Sequence, residues 1–115
     1  IKMNNTGLKG HALVIGIDAY ETGIPALQSA VQDAKAIAVT LQSDHGYDVT
    51  LLCDKDASLE AIDHYLNITL PPQLAEESAF IFYFAGHGIA VGNGSEGPQG
   101  YFLPHSAQLG NEDTG

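Results

Sequence analysis

His87 stands between Gly86 and Gly88, directly after the apolar run Phe80 to Ala85. An imidazole titrates near neutral pH and can accept a proton and return it. A glycine beside it leaves a bare backbone N–H, which is what an oxyanion donor requires. The pair His87 and Gly88 therefore reads as a general base with an oxyanion donor, the equipment of acyl transfer. The same residues also read as a loop histidine in a Gly-rich turn, and spacing alone leaves both readings open. A phosphate-cradling loop has no support. Residues 86–92 read GHGIAVG, which fits neither GxGxxG nor GxxxxGK[ST], and no Lys follows.

The other reactive side chains form no second constellation. The single cysteine, Cys53, has no internal disulfide partner and reads as a structural residue. His11, His45, His64 and His105 share no metal-ligand spacing with one another or with Cys53, so no metal site is expected. The run DKDAS over 54–58 opens like a calcium loop but lacks its Gly and closing Glu. Asp33 lies at the border of an apolar helical stripe, where a carboxylate is ordinarily a solvated edge residue. Asp18 follows the first strand; it reads first as a turn former and second as a pocket residue. Tyr20 and Tyr101 read as packing residues.

The elements that must position His87 follow from periodicity. HALVIGI (11–17) is a short apolar, β-branched strand. Gly23 and Pro25 punctuate a loop. Leu27, Ala30, Val31, Ala34, Ile37, Ala38 and Leu41 recur at helical spacing, and Gly46 ends that helix. YDVTLL (47–52) is a second strand. Ser58 is a fitting N-cap for a second helix with the stripe Leu59, Ile62, Leu66 and Leu70, stopped by Pro71-Pro72. SAFIFYFA (78–85) is a third strand. A Gly-rich stretch over 86–100 leads to GYFLP (100–104), a short fourth strand or hairpin arm, and a polar tail over 105–115. Apolar strands alternating with helices imply an α/β fold, with a mainly parallel sheet covered on both faces. In such sheets, sites form outside the carboxyl ends of the strands, where His87 stands.

The 115 residues make one small domain, and a hydrophobic fraction of 44% with 16% charged residues is globular. Fourteen Asp and Glu face four Lys and no Arg, for a net charge of -10. That balance speaks against nucleic acid and against an anionic membrane surface, and favours a basic polypeptide partner. No apolar run reaches the roughly 20 residues of a membrane span. A lone cysteine suits the reducing cytoplasm.

The segments ALVIGIDAY, LQSAVQDAKAIAVTL, GYDVTLLCDKDAS, FIFYFAGHG and GYFLP come in an order and spacing that resemble the caspase-like cysteine peptidases of the C14 group, most closely the metacaspase and bacterial orthocaspase branch. The likeness covers about residues 10 to 105. It implies a three-layer α/β/α sandwich of which the N-terminal half is present. Residues 1–9 are then a lead-in and 10–115 a caspase-like domain incomplete at its C-terminus. It also implies that His87 is the histidine of a Cys-His dyad and that the N–H of Gly88 helps bind the oxyanion. Asp33 becomes the first-helix aspartate that lines the S1 pocket and pairs with a P1 Arg or Lys. Animal caspases carry an arginine shortly before that aspartate to grip a P1 Asp; here Ala26-Leu27 stand there instead. Metacaspases often depend on calcium, through acidic residues beyond the histidine half.

The departure is the nucleophile. A caspase-type cysteine lies about 50 residues past the histidine, near position ~137 here, beyond residue 115. LLCDKD around Cys53 bears no likeness to the family's Asp-x-Cys-x-Ser-Gly segment. The expectation is therefore the histidine part of a cysteine endopeptidase specific for basic P1 residues. The cysteine would come from a following segment of the same protein, and these residues alone would be inactive. The competing expectation is a non-catalytic caspase-fold module for regulation or assembly. A small-molecule-binding domain of flavodoxin type is a third, weakened by the missing phosphate loop.

Overall fold

The computed structural model describes residues 10–20, 23–75, 78–93 and 97–107. The lead-in expected over 1–9 and most of the tail expected over 105–115 lie outside the described residues. In chain order the elements are β1 (His11–Gly16), α1 (Ala30–His45), β2 (Asp48–Cys53), a 3-10 turn (Asp54–Asp56), α2 (Leu59–His64) running into a π turn (Tyr65–Thr69), a 3-10 turn (Pro71–Gln73), β3 (Phe80–Ala85), β4 (Gly88–Asn93) and β5 (Gly97–Phe102).

Three strands form one parallel sheet in the order β2-β1-β3, with His11 level with Asp48 on one side and Phe80 on the other. The chain steps from β1 to β2 and then crosses back over β1 to reach β3. Right-handed crossovers in opposite directions put their helices on opposite faces. The side chains sort accordingly. Ala12 and Val14 of β1 pack with Ala34 and Ala38 of α1. Leu13, Ile15 and Ile17 pack on the other face with Ala57, Tyr65 and Leu70. The result is the three-layer α/β/α arrangement. Leu13, Val14, Ile15 and Ile17 are fully buried, each contributing about 1.5–3 kcal/mol of apolar burial.

Each element begins and ends for a local reason. Gly46 takes φ 69°, the left-handed conformation that closes α1, and the Tyr47 N–H folds back on the Leu41 carbonyl at 3.0 Å. Ser58 caps α2 by accepting the Ala61 N–H at 3.1 Å, as its type and place predict. The second helix departs from the expected stripe. Leu59 is 61% exposed, while Tyr65 is buried. From Tyr65 the helix widens, and the Leu70 N–H reaches the Tyr65 carbonyl five residues back. A turn of five residues brings Tyr65 and Leu70 to the same face, which regular helical spacing does not.

The third strand also differs from expectation. Its composition suggests burial on both faces, yet Phe80 and Phe82 are about two-fifths exposed, at 37% and 39%. Among the described residues β3 pairs with β1 alone, so it is an edge of the sheet. The Gly-rich stretch after it holds a strand that the glycines concealed. β4 pairs antiparallel with β5, which settles GYFLP as a hairpin arm. Phe102 of that arm stacks on Phe84 with ring centroids 4.5 Å apart and lies 5.7 Å from Phe82, fastening the hairpin to the outer part of the sheet.

On its α1 face β1 carries the small residues Ala12, Val14 and Gly16, and Gly16 leaves no room for a side chain. A Cβ there would stand 2.6 Å from the Ala34 Cβ and 2.7 Å from the Ala30 carbonyl oxygen. Gly16→Ala should therefore destabilise the fold by about 1–3 kcal/mol through overpacking, read as a lower urea midpoint at unchanged slope.

Candidate active site

The carboxyl ends of β1, β2 and β3 lie together, with Gly16 level with both Cys53 and Ala85. The segment after β1 is tied down where it leaves the sheet. The Ile17 N–H bonds to the Ala85 carbonyl at 2.9 Å. The N–H groups of Asp18 and Ala19 both donate to Oδ1 of Asp54, at 2.9 and 3.1 Å. Asp54 holds this pose at φ 49°, a left-handed conformation that Asp tolerates better than most residues. Oδ1 of Asp18 accepts the N–H of Ala30 at 2.7 Å, capping the first turn of α1 where the Ser29 side chain does not. These bonds deliver Tyr20 and Pro25 to the end of β3.

His87 is held there at both backbone groups and at its ring. Its N–H donates to the Tyr20 hydroxyl at 2.8 Å, and its carbonyl accepts the Leu103 N–H at 3.0 Å. Nε2 lies 2.9 Å from the carbonyl oxygen of Pro25. A carbonyl only accepts, so Nε2 carries the proton and the lone pair of the neutral ring resides on Nδ1. The Tyr20 and His87 rings lie 5.4 Å apart, tilted by 56°. The Tyr20 hydroxyl in turn donates to the Leu103 carbonyl at 3.1 Å. Burial pushes the Tyr20 phenol above its ordinary range, partly offset by the His87 N–H.

The glycines flanking His87 have separate roles. A Cβ on Gly86 would fall 2.6 Å from the Tyr20 hydroxyl, so that position is empty to admit the tyrosine. Gly88 opens β4 opposite Phe102. Because the Leu103 N–H bonds to His87, the ladder alternation turns the N–H of Gly88 away from β5. A side chain at Gly88 would meet the Tyr101 carbonyl at 3.0 Å.

The remaining candidates are placed as follows. Asp33 is exposed on the first turn of α1, and that helix begins at the same end of the sheet as His87. Its carboxylate also suits the positive end of the helix dipole. Asp18 commits one carboxylate oxygen to Ala30. Cys53 ends β2, with β1 between it and β3. Burial raises its thiol; Lys35 opposes this, while Asp54, Asp56 and Asp18 push the same way. An activated nucleophile needs the opposite shift. Among the described residues no group of three or more His, Cys, Asp or Glu could hold a metal ion. None of their helices is long and apolar enough to cross a membrane.

The family model of the caspase domain matches residues 9–112. The chain belongs to the caspase family. No curated protein matches it. Caspase-domain proteins are cysteine peptidases acting on polypeptides, and the sandwich seen here is the α/β fold expected of one. Within this caspase domain, Tyr20, Pro25 and Asp54 are the residues that sequence reasoning missed. Tyr20 reads as packing, and Pro25 acts through its backbone. The one available signal was Gly86, whose lack of a side chain marks a close approach by another group.

Asp54→Ala removes the acceptor of two N–H groups at a left-handed position. It should lower stability by about 2–3 kcal/mol in urea unfolding, whereas Asp54→Asn, which keeps an acceptor and tolerates that φ, should lose less than half as much.

Proposed function

We propose that this chain is the histidine-bearing part of a cysteine endopeptidase of the metacaspase or orthocaspase type, cleaving after Arg or Lys. The observation that carries the proposal is the bond from Nε2 of His87 to the Pro25 carbonyl. A ring fixed in that tautomer keeps Nδ1 for a thiol.

Nδ1 accepts the proton of a cysteine thiol supplied by a segment beyond residue 115. The thiolate adds to the carbonyl carbon of the scissile bond, and the carbonyl electron pair moves to oxygen. The Gly88 N–H and the cysteine's own N–H hold that oxyanion. The imidazolium returns its proton to the amine nitrogen as the C–N bond breaks, leaving a thioester. Water then attacks the thioester as His87 takes its proton; the C–S bond breaks, the acid product leaves, and the imidazolium returns the proton to the sulfur. Asp33 pairs with the P1 side chain, in keeping with a net charge of -10. Asp18, with one oxygen on Ala30, contributes to that pocket by fixing the start of the helix that carries Asp33. The exposed edge of β3 is where the cysteine-bearing segment continues the sheet. The free thiol of Cys53 fits a cytoplasmic setting.

In the complete peptidase, His87→Ala should reduce turnover of an Arg-peptide reporter by about 10²–10⁴-fold. Residues 1–115 alone should not turn it over, and hydrolysis by them would overturn the proposal.

Asp33→Ala should lower kcat/KM for Arg and Lys reporters by on the order of 10²-fold, the loss of a close charge pair, with little change for uncharged P1 residues. Retained preference for Arg would remove Asp33 from the pocket.

A further inference from the structure

Tyr20 does more at His87 than pack. One step past the Gly88–Phe102 pair, the register of the hairpin sets His87 opposite Leu103. Such a pair ordinarily exchanges two hydrogen bonds. One is present, from the Leu103 N–H to the His87 carbonyl. The return bond is replaced by a relay: the His87 N–H donates to the Tyr20 hydroxyl at 2.8 Å, which donates to the Leu103 carbonyl at 3.1 Å. The hydroxyl is thus wedged into the ladder where the parallel sheet hands over to the hairpin. Gly86 is empty at that point because a Cβ would stand 2.6 Å from the hydroxyl oxygen.

We propose that the Tyr20 hydroxyl is a positioning residue for catalysis. It props β4 off β5 at His87, and so sets where the imidazole and the Gly88 N–H stand relative to the incoming thiolate and carbonyl. The proposal rests on the peptidase reading of His87. Tyr20 touches none of the reacting atoms; it acts through the main chain of His87, while Pro25 of the same loop fixes the ring. Without the hydroxyl, the His87 N–H has its natural ladder partner within reach, and closing that bond draws His87 toward β5. A general base moved by a fraction of an ångström to an ångström loses rate while substrate binding persists.

The test is made in the complete peptidase with an Arg-peptide reporter. Tyr20→Phe keeps the ring and removes the oxygen. It should lower kcat by about 10- to 100-fold with KM within about two-fold, while the protein stays folded by circular dichroism. Gly86→Ala presses on the same oxygen, at 2.6 Å, and on the edge of the Phe84 ring, at 2.9 Å, and should give the same split between kcat and KM. The double variant should be no slower than the slower single, because both changes reach His87 through the hydroxyl's place in the ladder. Wild-type kcat in Tyr20→Phe beside an inactive His87→Ala overturns the inference alone. An active His87→Ala overturns the peptidase reading and this inference with it. Should Tyr20→Phe fail to fold, Gly86→Ala decides: a drop in kcat at constant KM sustains the inference, and wild-type kcat overturns it.

Discussion

The burial of β1 on both faces is the constraint from which the rest of this structure follows. A strand flanked by parallel neighbours and covered by helices on either side can shift neither along nor across the sheet without exposing Leu13, Val14, Ile15 or Ile17. Its small face, ending at Gly16, brings α1 close, and α1 starts where the segment after β1 ends. The last residue of β1 is level with the last residues of β2 and β3. Three chain ends are therefore fixed at one edge, and chemistry placed there inherits the stiffness of the core.

The segment between β1 and α1 turns that stiffness into a pose for one side chain. Asp54 holds its first residues, and Asp18 fixes both its far end and the first turn of α1. Between these anchors the chain presents a hydroxyl to the backbone of His87 and a carbonyl to its ring. The hairpin beyond His87 is pinned separately, by the stack of Phe102 on Phe84. The histidine thus stands at a junction held by the sheet, the loop and the hairpin.

Much of this was legible in the sequence, for identifiable reasons. β1, α1 and the Ser58 cap announce themselves because burial and capping act on local pattern. The parallel sheet follows from strands too apolar to face water. β4 was hidden because Gly88 and Gly92 mask a strand pattern, and the widening of the second helix at Tyr65 was hidden because periodicity assumes one pitch. The exposure of Phe80 and Phe82 depends on which strand ends at the sheet's edge, which composition does not encode. At the site, His87 and Gly88 could be singled out by type and spacing. Tyr20, Asp54 and Pro25 could not, since their contacts span 67, 36 and 62 residues and all three involve backbone on one side.

The hold on the imidazole has a consequence for how such a site drifts over generations. The acceptor is the main-chain oxygen of residue 25, and every amino acid carries one. No replacement of the Pro25 side chain can delete it; only a change in the number of residues between Asp18 and Ala30, or in the path they follow, can withdraw it. The position can therefore vary freely in identity while its contribution persists. The trace of selection to look for there is a constant loop length, which a comparison of side chains alone would pass over.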